Sequence, residues 1–218
     1  MSETYDASVD ADRLAGIAAA RAAIRRGELV VTPTDTVYGV AADAFAPAAV
    51  RALVEAKGRT LASPPPVLIP DLATLEALAD VVHPEVRALV DAHWPGPLTV
   101  IVAARTGLDW DLGETRGTVA LRIPDDPVAL ELLRATGPLA CSSANLTGRP
   151  PARSAAEAIG MLGEAVAVVL DSGERGEVAS TIVDATNLHR PEGRLRIVRE
   201  GVIPAEEIRR IVGADRCA

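Results

Sequence analysis

The sequence predicts a single α/β domain, residues 1–218, on a twisted sheet mixing parallel and antiparallel strands with flanking helices. Three observations predict it. Strand-length apolar runs and helix-period segments are interleaved without strict alternation, the pattern of a mixed sheet. At 218 residues and 49% hydrophobic content the chain can bury one sizeable core. No internal repeat is visible, and no linker long enough to separate a pair of domains.

Each element has a local reason. Leu14, Ile17, Ala18, Ala20 and Ile24 recur at helical period from about Asp10 to Arg26, with Asp10 as the expected cap and Gly27 as a left-handed stop. Glu28 to Thr32 reads as a buried strand. Pro47 suits the first turn of a helix through about Ala56. Val67 to Ile69 is a short strand, Asp71 caps a helix over Leu72 to Ala79, and Pro84 opens another through about Ala92. The rigid turn Trp94-Pro95-Gly96-Pro97 feeds a strand from Leu98 to Ala103. Gly107 to Gly117 reads as a loop, Thr118 to Ile123 as a strand, Pro127 to Ala135 as a helix and Leu139 to Ser142 as a strand. Ser154 and Glu157 form a capping-box pattern ahead of a helix ending near Leu162. Val166–Leu170, Ser180–Val183 and Leu195–Val198 complete the strands, and Pro204 starts a last helix through about Val212.

Composition bounds the function. A net charge of −8 argues against a protein that coats nucleic acid through a basic face, so no strong bulk nucleic-acid binding is expected. A local cationic cleft for a phosphorylated small molecule remains compatible. Cys141 and Cys217 lie far apart and give neither a disulfide framework nor metal-knuckle spacing, and no metal ligand set is expected from the protein. The N-terminus is acidic and polar rather than a secretory signal, and no apolar run approaches the roughly 20 residues that span a bilayer. A cytoplasmic protein without membrane contact is the expectation.

Four polar islands stand out at the ends of apolar runs. Pro33-Thr34-Asp35-Thr36-Val37-Tyr38-Gly39-Val40 follows Leu29-Val30-Val31 and sets hydroxyls where α/β proteins bind ligands. Lys57 and Arg59 flank Gly58: they either complement a helix C-terminus or clamp polyphosphate, with Ser63-Pro64-Pro65-Pro66 as a stiff connection behind them. Ser142-Ser143-Ala144-Asn145 is either a plain turn or an anion cradle. Ser180-Thr181 precedes Ile182-Val183-Asp184. Thr118 and Arg122 share one strand face, and a buried Arg122 needs an anion, either a ligand or Asp125 or Asp126. Cys141 reads as a packed thiol, Trp94 as core, and the three histidines show no ligand spacing. Cations and hydroxyls without an obvious general base suit phosphoryl or nucleotidyl transfer, where positioning and charge stabilisation dominate.

These islands, with Trp94-Pro95-Gly96-Pro97-Leu98-Thr99, Arg122-Ile123-Pro124 and Arg199 to Gly201, occur in an order that resembles the YrdC-like family, the threonylcarbamoyl-AMP synthases. The likeness runs from about Gly27 to Gly201. It implies a deep, positively lined cavity and conversion of L-threonine, bicarbonate or CO2, and ATP to L-threonylcarbamoyl-AMP and pyrophosphate. Other proteins would then transfer the threonylcarbamoyl group to the adenosine beside the anticodon of certain tRNAs. Carried over by position, Thr36, Arg122, Cys141 and Ser180 would meet threonine. Lys57, Arg59, Ser63, Thr118, Ser143, Asn145, Pro151 and Arg199 would hold ATP, with Lys57, Arg59, Ser143 and Asn145 closest to the chemistry and Mg2+ arriving on the phosphates.

Departures from the family pattern fall in the pocket: Leu68 stands where many relatives carry a histidine, Pro151 where a serine is common, and Cys141 where a smaller residue is usual. The length matches the form without the extra domain that longer relatives use to cover the cavity. Two other readings share the fold: an enzyme on a related carbamoyl-adenylate, or an RNA-binding or ribosome-maturation module without catalysis, which the net charge disfavours.

Overall fold

The computed structural model describes residues 2–218. Ten strands form one sheet: β1 (Glu3–Asp6), β2 (Leu29–Thr32), β3 (Gly39–Asp43), β4 (Val67–Leu68), β5 (Leu98–Ala103), β6 (Thr118–Arg122), β7 (Leu139–Ser143), β8 (Val166–Asp171), β9 (Thr181–Asp184) and β10 (Arg196–Arg199). Among the described residues seven α-helices accompany them: α1 (Asp10–Arg25), α2 (Pro47–Ala56), α3 (Leu72–Leu78), α4 (Pro84–His93), α5 (Pro127–Thr136), α6 (Ala155–Leu162) and α7 (Ala205–Val212). The spatial order is β1-β8-β2-β3-β7-β4-β6-β5-β9-β10, with parallel and antiparallel pairs mixed as the interleaved pattern requires.

Period-2 alternation decides which side of the sheet each half covers. In β2, Val30 joins the core under α1 and α5, while Leu29 and Val31 join the one under α2 and α6. That half is therefore packed on both faces. The other half is packed on one face only: Leu98, Val100 and Val102 of β5, Val119 and Leu121 of β6 and Val183 of β9 meet α3, α4 and α7. The intervening residues Thr99, Ile101, Ala120, Arg122 and Ile182 face a cavity. That change from two covered faces to one creates the site.

Local signals behave as expected at most ends. Pro47, Pro84 and Pro127 open their helices, and Asp71 accepts from the Thr74 N–H at 2.8 Å. Gly27 is left-handed at φ +79°. Three expectations need correction. Asp10 is the first helical residue of α1 rather than its cap; Val9 occupies that place without a side-chain bond. Ser154 caps α6, but Glu157 accepts from the N–H of Arg153, one residue before the cap, instead of from that of Ser154. Strands β1 and β3 had no alternating pattern to announce them: β1 is a polar edge strand, and β3, buried from Gly39 to Ala42, continues the Pro33–Val40 motif.

The pairing of β3 with β7 sets Gly39 opposite Ser143. A Cβ on Gly39 would lie 2.5 Å from Cys141 Sγ, so the thiol fills the space the glycine leaves. Gly39→Ala should therefore destabilise the fold by about 1–3 kcal/mol, the range for overpacking, and Cys141→Ala should relieve most of it. Denaturant titration of both single variants and the double variant checks this; additive effects would show that the two positions do not compete for space.

Candidate active site

The motif turn after β2 folds around one hydroxyl. Thr34 Oγ1 accepts from the N–H groups of Thr36 and Val37, both at 3.2 Å, and donates to Val37 O at 2.6 Å. The Thr36 hydroxyl packs against it, with Oγ1 to Oγ1 at 3.0 Å. Thr36 Oγ1 in turn accepts from Arg122 Nη1 at 3.1 Å.

Arg122 ends β6 on the cavity face with its side chain 7% exposed. Its Nε donates to Gly96 O at 3.0 Å and its Nη2 to Asp35 Oδ1 at 2.6 Å. The expected partners Asp125 and Asp126 do not serve. Asp125 gives its backbone N–H to Asp35, and Asp126 caps α5 and pairs with Arg175. Of the five N–H groups of a guanidinium, these contacts take three, leaving one on each terminal nitrogen for a ligand. The Trp94–Pro97 turn delivers the Gly96 carbonyl; a Cβ on Gly96 would come within 2.5 Å of His93 O. Trp94 itself is half-buried, packed against the core with its indole N–H on Leu98 O at 2.7 Å.

Across the cavity, Ser180 Oγ sits 2.9 Å from Thr99 Oγ1. Arg199 donates to Ser180 O from Nε at 3.1 Å and from Nη2 at 2.7 Å. This contact needs Gly201, whose Cβ would stand 2.2 Å from Ala179 O, so that β10 and β9 close together there. Burial first, and the like charge of Arg122 second, lower the Arg199 pKa from its usual value. Arg59, Ser142, Ser143, Cys141 and Leu68 complete the cavity, whose volume is about 310 Å³. A smaller space of about 180 Å³, bordered by Thr118, Thr115 and Glu114, adjoins it and shares Pro64, Ile101 and Ala120.

The sequence-derived residues therefore divide. Thr36, Arg122, Cys141, Ser180, Arg59, Ser143 and Arg199 converge on the main cavity. Thr118 borders the adjoining one, and Ser63 and Pro151 border neither. Lys57 and Asn145 lie behind the wall. The Lys57 ammonium is buried and donates to Asn145 O at 2.6 Å, to Asn145 Oδ1 at 3.4 Å and, in a very short contact, to Ser143 O. It fastens the Ser142–Asn145 loop to the end of α2. The Asn145 amide holds the Arg149 carbonyl at 2.7 Å, and Arg59 Nε reaches Thr147 at 3.0 Å. Sequence reading missed the roles of Asp35, Thr34, Thr99 and Gly96; all four sit inside motifs it had singled out, but only the fold shows which partner each meets.

A mixed sheet around a cavity lined by three arginines and by hydroxyls defines an α/β protein suited to small anionic ligands. The Sua5/YciO/YrdC family, described as "Telomere recombination", is matched over residues 22–201. A Mycobacterium tuberculosis protein provisionally named threonylcarbamoyl-AMP synthase is 46% identical over 99% of this chain and 97% of its own length. The Bacillus subtilis threonylcarbamoyl-AMP synthase is 36% identical over 90% of this chain and 56% of its own length. Among solved structures, Pyrococcus abyssi Sua5 complexed with L-threonine superposes with a TM-score of 0.87 at 32% identity, covering 100% of this chain and 62% of that one. Escherichia coli YciO superposes at 0.79 with 25% identity, over 95% of this chain and 100% of its own. The chain belongs to the Sua5/YciO/YrdC family.

Lys57 and Cys141 have opposing effects on stability at alkaline pH. Burial, then the like charge of Arg59, lowers the ammonium pKa to about 8, while burial pushes the Cys141 thiol up to about 12. Between about pH 8 and the usual lysine value of 10.5, the unfolded chain holds a lysine proton that the folded one has lost, so Lys57 makes stability rise with pH. Cys141 acts oppositely from its usual value of 9 up to about 12, where the folded state keeps the proton. Lys57→Met removes the first contribution, and the loss of that nearby cation pushes the thiol further up, so that it stays protonated in the folded state throughout the lysine window. The stability difference between wild type and variant should grow by up to about 1 kcal/mol per pH unit across the lysine window. Urea titrations from pH 7.5 to 10.5 test this; a constant difference would mean that the ammonium is not desolvated.

Proposed function

We propose that this chain is a threonylcarbamoyl-AMP synthase, converting L-threonine, bicarbonate or CO2, and ATP to L-threonylcarbamoyl-AMP and pyrophosphate. The observation that carries the reading is the buried Arg122, with two N–H groups left for a carboxylate, the Thr36 hydroxyl beside it and the Ser180 hydroxyl lining the same cavity. The names of the relatives and the threonine bound in the Pyrococcus structure support the same substrate.

In this reading Arg122 holds the threonine carboxylate, and the threonine hydroxyl meets Ser180 or Thr36. Leu68, Val37 and Cys141 offer apolar surface to its methyl group. The amine takes up CO2, losing a proton and forming a C–N bond to give a carbamate; bicarbonate entering instead releases water. A carbamate oxygen attacks the α-phosphorus of ATP as the bond to the bridging oxygen breaks, and pyrophosphate leaves with the electron pair. The carbamate is already anionic, which removes the need for a strong base at that step. Arg59 and Arg199, with no carboxylate among the described residues within ion-pair distance, are the cations available to the phosphate chain. Magnesium would enter on the nucleotide and neutralise its phosphates. Lys57 acts as a holder of the Ser143 loop rather than a direct clamp. The product would pass to other proteins for transfer to tRNA, in the cytoplasm.

Purified protein should release pyrophosphate only when threonine, bicarbonate and ATP are all present, with the adduct seen by mass spectrometry. Arg59→Ala should lower this roughly 10- to 150-fold, the equivalent of about 1.5–3 kcal/mol for a charge-assisted contact. Serine should fall a few-fold below threonine, since one buried methyl contributes only about 1 kcal/mol. Valine should fall further, because it leaves the site's polar groups unpaired. Pyrophosphate release independent of the amino acid, or equal rates with valine and threonine, would contradict the reading.

A further inference from the structure

Tyr38 belongs to the opening motif yet does not line the cavity, and Arg175 belongs to no motif at all. The two meet on the segment Ser172–Ala179, which links β8 to β9 and brings Ala179 and Ser180 into the cavity wall. Tyr38 is fully buried, and its hydroxyl lies 3.0 Å from Asp171 Oδ1 and 2.7 Å from Gly173 O while accepting from the Ser172 N–H at 3.1 Å. Burial raises its pKa above the usual value, so the phenol stays neutral and keeps its proton to donate. The Arg175 guanidinium lies over the Tyr38 ring at cation–π distance, its central carbon 5.9 Å from the ring centroid. Its Nη1 donates to Ser172 O and Glu174 O, both at 3.1 Å. Its Nη2 pairs with Asp126 Oδ2 at 3.1 Å and also meets Ser172 Oγ. Asp126, itself 5% exposed, is anchored because its other oxygen caps α5 through the N–H groups of Val128 and Ala129.

The segment is thus tied to the ring of Tyr38 and to the start of α5, and on its outer side to Arg153, whose carbonyl accepts from the Arg175 N–H at 2.8 Å and whose guanidinium pairs with Glu177 at 2.8 Å. It passes close to the substrate end: a Cβ on Gly176 would lie 3.2 Å from Thr36 O. Four residues beyond that glycine, Ser180 makes its contact with Thr99 and Arg199.

We propose that Tyr38 and Arg175 are positioning residues for amino-acid binding, forming a clasp outside the cavity that holds Ser172–Ala179 against Thr36 and so fixes Ser180. The inference rests on the reading that Thr36, Arg122 and Ser180 receive the amino acid. Loss of the clasp lets the segment open locally while the three helix-covered cores, which do not include it, stay folded. Binding of the amino acid then has to reorder the segment, which weakens its affinity more than that of the nucleotide, since Arg59 is held by Thr147 outside the segment.

Tyr38→Phe removes the hydroxyl and keeps the ring; Arg175→Met removes the guanidinium and keeps most of the stem, while Arg175→Lys restores charge without the fork. Amide hydrogen exchange on the ligand-free proteins should show at least tenfold faster exchange across residues 172–179 in Tyr38→Phe and Arg175→Met, with the core strands unchanged. Calorimetric titration with L-threonine should show weaker binding by 3- to 30-fold in both variants, with partial recovery in Arg175→Lys and ATP affinity within twofold of wild type. Exchange across 172–179 equal to wild type in both variants would overturn the clasp, whatever the protein binds. Faster exchange with unchanged threonine affinity would overturn its role in binding. If wild-type protein takes up no threonine, the proposed function fails and so does the assignment of the clasp to amino-acid binding, while the exchange data still report whether the clasp exists.

Discussion

The burial of a full positive charge at Arg122 is the constraint on which the site depends. Desolvating a guanidinium costs several kcal/mol unless the charge is paired and its N–H groups are met. Asp35 supplies the charge and Thr36 and Gly96 supply acceptors, the first two from one turn and the third from another stretch of chain. The motif turn after β2, the proline-rich turn before β5 and the end of β6 are therefore locked to one another through one side chain. Residues that look decorative in sequence follow from this: Thr34 exists to fold the turn that presents Thr36, and Gly96 exists because its carbonyl must approach where a side chain would strike His93.

A second constraint comes from how the sheet is covered. Around β2, β3 and β8 both faces meet helices, and the strands are apolar on both sides. Beyond β7 the helices α3, α4 and α7 cover one face, and the opposite face carries Thr99, Arg122, Ile182 and their neighbours. Polar side chains at alternate positions of otherwise apolar strands thus mark where the cavity lies. Lys57 applies the same logic from behind the wall. Its charge is met by carbonyls of the Ser143–Asn145 loop, so it shapes the site without entering it.

Much of this could be read in the sequence, and the misses share a cause. Helices with proline at their start, such as α2, α4 and α5, were legible because the signal is local. So were strands such as β5, whose apolar run is bounded by a turn. Strand β3 was not, because a Gly-Val-Ala-Ala-Asp stretch buried over its first four residues has no alternation and low strand propensity; its pairing with β2 and β7 makes it a strand. In the site, residue types and order picked out the islands, and the fold brought most of them together. Partnerships were what sequence could not give. Asp125 and Asp126 are nearer to Arg122 along the chain than Asp35 is, but strand β6 and the motif turn bring Asp35 to it across 87 residues. Lys57 likewise follows a helix end, as its sequence suggests, and only tertiary packing turns its ammonium inward.

A structure of the protein with L-threonine and a non-hydrolysable ATP analogue tests most directly whether Arg122 anchors an amino-acid carboxylate. The carboxylate should lie within about 3 Å of the two Arg122 N–H groups left free by Asp35, Thr36 and Gly96, with that arginine unmoved from Asp35. Threonine bound with its carboxylate on Arg59 or Arg199, and Arg122 still held only by protein, would contradict it.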